Sequence, residues 1–254
     1  MFGSRFAYTV CMIAATIVAG VLLRRRQSRL QMEPYHRWGI AIGGLIGATF
    51  AAKLPFILGA DPSVGLIGAW LSDGKTILWG LAGGYIGVEI AKWTLLLKTS
   101  TGDSFVVAVA VAIAIGRVGC LLFGCCYGVE TDQSWGFRFI QAPDGGTLLR
   151  HPTQIYEIVF HLGFAVIAWS ATRQVSESTA EQDRMTTSNL LQGNWMPLYL
   201  LAYSVYRFSS EFIRPETRGT GGLTFYQWSA IVIGCGFAML LISRWRRTNR
   251  LAIN

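Results

Sequence analysis

A chain of 254 residues in which 52% are hydrophobic and only 14% are charged, with a mean hydropathy of +0.41, is too apolar for an ordinary soluble domain and falls in the polytopic membrane class. Its formal charge of +8 does not indicate nucleic acid, because the basic residues sit in short clusters just after apolar segments, the positive-inside pattern, and not along one polar face. Five cysteines form no CxxC pair and no Cys/His ladder with zinc spacing, which argues against a structural metal, and nothing in the composition calls for a cofactor.

Residues 6–23 form an apolar run of spanning length, at about 1.5 Å of rise per residue against a hydrocarbon core of roughly 30 Å. Arg24, Arg25, Arg26 and Arg29 follow it. A cleaved signal peptide carries its main charge before the apolar run and a small-residue cleavage site after it, so a retained helix with its N-terminus outside is expected. Residues 38–58 return outward through GIAIGGLIGA, whose small residues allow close helix contact, and Lys53 and Pro55 are read as a fraying outer end. Residues 59–75 make a short, partly helical outer segment that closes on Asp73-Gly74. The next span, 77–97, carries Gly80, Gly83, Gly84 and Gly87 on a small-residue face. Within it Glu89 and Lys92, three apart, are expected to pair structurally and not to catalyse.

Residues 104–127 head outward and end in GRVGCLLFGCCYG, residues 116–128. An arginine in hydrocarbon costs about 2.5–3.5 kcal/mol even on the lenient insertion scale, so Arg117 is either a site residue facing the protein interior or a charge that snorkels from a helix end. Residues 129–150 form a polar outer loop in which Trp135, Phe137 and Phe139 alternate, as in a short strand or hairpin. RHPTQIYE, residues 150–157, opens the inward span 155–171. Pro152 suits a first helical turn, and Thr153 or His151 is placed to cap it. Residues 173–194 are rich in Ser, Thr, Glu and Gln and are expected to form a mobile inner loop.

Residues 195–213 go outward again with Arg207 and Glu211 at i, i+4. A turn holding Arg214, Pro215 and Arg218 follows, and residues 223–243 come back in to Arg244, Arg246, Arg247 and Arg250. The expectation is one all-α transmembrane domain over residues 1–254, with about seven spans, the N-terminus outside and the C-terminus cytoplasmic. No internal repeat is visible.

With that alternation, Arg117, His151, Glu157, Arg207, Glu211 and Arg214 all fall in the outer halves of three spans or in the turns beside them. Several cations with few compensating acids, near headgroup depth, describe a site for an anionic lipid phosphate. Arginine suits it because its planar fork holds two phosphate oxygens and stays charged when buried. For Arg207 and Glu211 a plain salt bridge along one helix is the competing reading.

RHPTQIYE, the GRVG…YG frame and YRFSSEFIRP resemble the three best motifs of the prolipoprotein diacylglyceryl transferase family. The likeness extends to Tyr8 ahead of the first RRR, to the Asp73-Gly74 turn and to GGYIGV. It implies a multi-pass enzyme of the bacterial cytoplasmic (inner) membrane that moves a diacylglyceryl group from phosphatidylglycerol to the lipobox cysteine thiol of a prolipoprotein, with release of glycerol phosphate. Membrane lipid and prolipoprotein are then the partners, with no nucleic acid, no metal and no cofactor. On this likeness Arg117 and Arg207 hold the phosphate and Glu211 orients Arg207. Tyr8, Gln154, Tyr156, Glu157, Arg214, Gly116, Gly119 and Gly128 belong to the substrate site. His151 is the leading general base, since His36 starts a span at the inner side and His161 lies inside one on its apolar side. A histidine before a proline at a helix start also serves as a cap or hydrogen-bond partner, so both roles stay open.

The departures from the family pattern are as informative. Its signature G-R-x-G-N-F-x-N-G-E-x-x-G has Cys120 at the first Asn, Phe123 at the second and Cys125 at the Glu, and its H-G-G histidine is replaced by Trp79 or Ala82, depending on register. Cys120, Cys125 and Cys126 read either as buried packing or as reactive groups, an oxidised pair or a thiol near arginine that takes part in transfer. Cys11 and Cys235 read as packing. A divergent relative that binds anionic phospholipid but uses another acceptor, or none, is the alternative. A small transporter fits less well, because the spans show no paired, similarly broken halves.

Overall fold

Long apolar runs closed by charge clusters and glycines fold as helices that satisfy their own backbone, the requirement hydrocarbon imposes. The computed structural model describes residues 4–28, 30, 32–58, 65–71, 74–177 and 191–253. Asp73 of the predicted Asp73-Gly74 turn and residues 178–190 of the predicted inner loop lie outside them. The elements are α1 (Arg5–Gln27), α2 (Pro34–Leu58), α3 (Gly65–Leu71), α4 (Ile77–Thr94), α5 (Gly102–Phe123), α6 (Thr153–Glu177), α7 (Trp195–Ser210) and α8 (Phe225–Ile253), with 3-10 turns at Glu211–Ile213 and Thr220–Gly222. Every predicted span appears as a helix, and the partly helical outer segment is α3.

Five helices among the described residues are long and apolar enough to cross a membrane: α1, α2, α5, α6 over Thr153–Thr172, and α8 over Phe225–Asn249. The protein is an all-α polytopic membrane protein. The other two predicted spans are shorter, with 18 residues in α4 and 16 in α7. Helix α7 buries Tyr199, Leu200, Tyr203, Ser204 and Arg207 among the other helices, so these polar groups meet protein and not lipid. Apolar side chains such as Ile13, Ile17, Leu45, Phe50, Val166 and Val232 point outward instead, as a lipid-facing surface requires.

Side-chain volume sets how closely the helices approach. Helices α2 and α4 meet backbone to backbone, and a Cβ placed on Gly47 or Gly87 would strike the carbonyl oxygen of Gly83 or Gly43 across the contact. The expected small-residue faces therefore meet each other. Helix α1 starts on Ser4, whose Oγ accepts from the Ala7 N–H at 3.2 Å, and ends with Arg24, Arg25 and Arg26 in its last turn, where positive charge complements the helix dipole. Asp103 at the start of α5 accepts from the N–H groups of Gly193 (2.6 Å) and Trp195 (3.1 Å), fixing where α7 begins.

Three local expectations need correction. Lys53 and Pro55 do not mark a frayed end: α2 continues through Pro55 to Leu58, and Lys53 is buried. The loop 129–150 contains no strand among the described residues. It is tied by single antiparallel bridges of Arg150 with Glu130 and with Phe137, around the fully buried ring of Phe139. Thr153, expected as a cap, gives its hydroxyl proton to the Cys126 carbonyl at 2.5 Å. Glu89 and Lys92 pair as expected, at 3.1 Å.

Candidate active site

The site is assembled around one carboxylate. Glu157 lies one turn into α6 with its side chain wholly enclosed. A bare carboxylate there would be prohibitive, so its environment must supply charge and donors. Arg117 from α5 donates Nη2 to Oε1 at 2.8 Å, Tyr203 from α7 donates its hydroxyl to the same oxygen at 2.5 Å, and Arg214, beyond the 3-10 turn, donates Nη2 to Oε2 at 3.1 Å. The Arg117 side chain is only 10% exposed, so the snorkelling reading does not describe it.

A second pair stands beside the first. Arg207 Nη2 lies 2.8 Å from Glu211 Oε2, while the other Glu211 oxygen accepts from the Thr224 hydroxyl at 3.0 Å and the Arg207 guanidinium lies 5.0 Å from the centre of the Tyr226 ring. Arg214 is within electrostatic reach of both Arg117 and Arg207. Three guanidinium charges against two carboxylates leave one net positive charge, counting His161 as neutral. Arg117 Nε, Arg207 Nη1 and Arg214 Nε are shut off from solvent and have no acceptor among the described residues, and the Tyr206 hydroxyl is likewise without a partner. Buried donors of this kind are rare in a finished structure. Their number and sign suit an oxyanion ligand.

Of the remaining predicted residues, Gln154 is fully buried and donates Nε2 to the Cys125 carbonyl at 2.5 Å. Gly128 is required by a close approach: a Cβ there would lie 2.6 Å from the Ile213 carbonyl oxygen and 2.7 Å from His151 Cβ. Gly119 lets α1 close on α5 at Cys11 and Tyr8, whereas Gly116 faces only the Met12 sulfur. Tyr8 packs on Phe123 with ring centres 5.9 Å apart, within electrostatic reach of Arg117 and of Cys120, Cys125 and Cys126. His151 is half-buried and bonds through Nδ1 to the Tyr156 hydroxyl at 3.2 Å, a hydroxyl that also accepts from Trp135 Nε1 at 3.0 Å. His151 and Tyr156 thus stand together beside Gly128, bonded to each other and not to Arg117, Arg207 or Arg214 among the described residues.

Sequence reasoning missed several members. His161, read as apolar-side packing, is fully buried with Nε2 3.6 Å from Glu157 Oε1 and Nδ1 2.7 Å from the Tyr199 hydroxyl. Tyr199, Tyr203 and Thr224 were not singled out. The signal for them was there: Glu157 and His161 are four apart, and Tyr199, Tyr203, Arg207 and Glu211 repeat every four residues along one helical face. The cysteine spacing gave no metal pattern, yet Cys120, Cys125 and Cys126 converge, with their sulfurs all within 4.8 Å of one another. All three are free thiols. Cys11 and Cys235 are not members of this set.

The family model for prolipoprotein diacylglyceryl transferase matches residues 5–243. The chain is 30% identical to a phosphatidylglycerol–prolipoprotein diacylglyceryl transferase of Clostridium tetani over 97% of both chains. It is 29% identical to a Clostridium perfringens enzyme of the same name over 88% of this chain and 84% of that one. A third such enzyme, from Chlorobaculum tepidum, is 30% identical over 83% of this chain and 73% of the relative. Matched almost end to end, and with its arginines and glutamates gathered at the motifs that carry the likeness, the chain belongs to the prolipoprotein diacylglyceryl transferase family.

Proposed function

We propose that this chain transfers the diacylglyceryl group of phosphatidylglycerol to the cysteine thiol of a lipobox-containing prolipoprotein in the bacterial cytoplasmic membrane. The observation that carries the reading is the set of acceptor-less guanidinium N–H groups on Arg117, Arg207 and Arg214 inside a cluster with one net positive charge. A lipid phosphodiester supplies both the missing oxygens and the missing charge.

In the reaction the acceptor thiol loses its proton to His151. Its sulfur forms a bond to the glycerol carbon that bears the phosphate, and the carbon–oxygen bond breaks to release glycerol phosphate. Negative charge grows on the departing oxygen, where the fixed dipoles and charges of Arg117, Arg207 and Arg214 stabilise it without reorganising. Glu157 and Tyr203 aim Arg117, and Glu211 with Thr224 aims Arg207. Tyr8, Gln154, Tyr156, Gly116, Gly119 and Gly128 shape the substrate site around them.

The departures at Cys120, Phe123, Cys125 and the missing H-G-G histidine favour a second reading, a relative that keeps the lipid site but serves another acceptor or none. In the structure Trp79 is bonded to Ser229 at 3.0 Å and Ala82 is packed in the core, so neither supplies an ionisable group. Transfer from labelled phosphatidylglycerol to a lipobox peptide, with the full chain in lipid vesicles, separates the two. Labelled peptide supports transfer to a lipobox thiol. Lipid binding without labelled peptide supports the second reading.

A further inference from the structure

The geometry points to a metal site: Cys120, Cys125 and Cys126 bind one thiophilic divalent cation of the zinc class through three thiolates, with a fourth position open to the acceptor thiol. It rests on the transferase reading only for that last element. Four-coordinate thiolate zinc has Zn–S bonds of about 2.3 Å, which set sulfurs roughly 3.8 Å apart. The three sulfurs already lie within 4.8 Å of one another, with Cys125 and Cys126 at 3.6 Å, so small rotations of the side chains close the set.

Adjacent residues in extended chain point their side chains in opposite directions, yet here two neighbours turn the same way. The cause is local. Helix α5 stops at Gly124 with φ 86°, and Cys126 is itself left-handed at φ 64°. That bend brings both thiols back over Cys120 in the last helical turn. Its backbone is held from α6, where Gln154 and Thr153 donate to the carbonyls of Cys125 and Cys126. Support of this kind behind the ligands is what metal sites use to fix them. Cys126 is exposed, which gives an ion a way in.

Cationic groups stand beside the cluster. Three thiolates around a divalent ion make an anion of one net negative charge, and Cys126 lies within electrostatic reach of both Arg117 and Arg214. Three protein ligands with a fourth place free is the pattern of a reactive and not a purely structural zinc site. A thiol entering that place is bound as thiolate: it displaces a water, the metal–sulfur bond forms and its proton passes to His151. The acceptor is thereby ionised next to the arginines that hold the lipid phosphate. Cysteines standing where the family pattern has Asn and Glu fit such a change of activating group.

The test uses the full chain in detergent, reduced and stripped with chelator, and titrated with Co²⁺. One equivalent per chain with a cobalt–thiolate charge-transfer band, bleached by one equivalent of Zn²⁺, is expected. Cys120→Ser, Cys125→Ser and Cys126→Ser should each weaken binding at least tenfold, and the Cys11→Ser/Cys235→Ser double variant should leave it unchanged. Adding a lipobox cysteine peptide should shift the cobalt spectrum toward four-sulfur coordination. No band in the reduced wild-type chain, or a band that survives the three single variants, overturns the site, and a spectrum blind to the peptide overturns the open position. These readouts need no transfer, so failure of the transferase reading alone leaves the band in place, while failure of the site alone leaves transfer intact in the metal-free chain.

Discussion

Arg117→Lys keeps the charge of the central arginine and removes its fork. In the structure Nη2 is committed to Glu157 at 2.8 Å while Nε on the same plane has no acceptor, so one guanidinium can serve the carboxylate and a phosphate oxygen together. A single ammonium drawn toward Glu157 cannot reproduce that bridge. The loss is one charge-assisted hydrogen bond, about 1.5–3 kcal/mol, or roughly 10- to 150-fold in kcat/KM at tenfold per 1.4 kcal/mol. Arg117→Ala also leaves Glu157 short of a counter-charge, so it should show a further loss of thermal stability that the Lys variant does not. The assay is transfer from labelled phosphatidylglycerol in vesicles, run beside thermal unfolding of each variant. A Lys variant with at least half the wild-type kcat/KM would refute the bridging role.

Glu157→Gln leaves Arg117 and Arg214 without their shared anion and should cost about 3–5 kcal/mol of stability; a loss under about 1 kcal/mol in denaturant titration would show the arginines paired elsewhere. His151→Gln should retain lipid binding while lowering the transfer rate by on the order of 10² to 10⁴, and a silent His151→Gln beside a dead Cys125→Ser would move the base to the thiols. The Asp144 carboxyl is held down to about 2 by the Leu148 N–H first and by Arg150 as well. Its folded pKa is below the unfolded value of about 3.9, so its contribution is full above that value and is lost only as pH falls through about 2; protection of the 129–150 loop from protease that disappears near pH 5 would contradict this. A reporter after Asn254 and a thiol label on Gln133→Cys should report opposite sides of the membrane, and the same side for both would overturn the alternating topology.

Much of the helical frame was legible because apolar runs carry their own stop signals, as Arg24–Arg26 do for α1, although the span read as 104–127 leaves the helix at Gly124. The arginines were legible because a guanidinium in an apolar run demands explanation. What joins them was not. Glu157 meets Arg117 across 40 residues and Arg214 across 57, and no local pattern says which carboxylate two cations will share. His161 was hidden by Phe160 and Leu162 on either side, which make its segment read as plain hydrophobic packing. The thiol cluster was hidden for a different reason: sulfurs five and six positions apart meet only because the chain leaves the helix through left-handed residues at Gly124 and Cys126, and spacing rules presume a known backbone. Lys53 and Pro55 misled because a lysine and a proline just before the predicted end at residue 58 were read as fraying, whereas α2 stays helical through both to Leu58.

On the proposed function, the glycine contact between α2 and α4 bears on how a two-tailed lipid would reach the arginines. Where Gly43, Gly47, Gly83 and Gly87 meet, the backbones touch with only alanine methyls beside them, so that stretch has nothing to part around an acyl chain. The α1–α5 contact at Gly119 is close as well, with Cys11 Cβ 2.9 Å from where a Cβ would stand. On that reading, sideways passage of a diacyl chain is directed away from this contact and toward seams lined by rotatable side chains. The bundle's stiff joints decide where its doors are not.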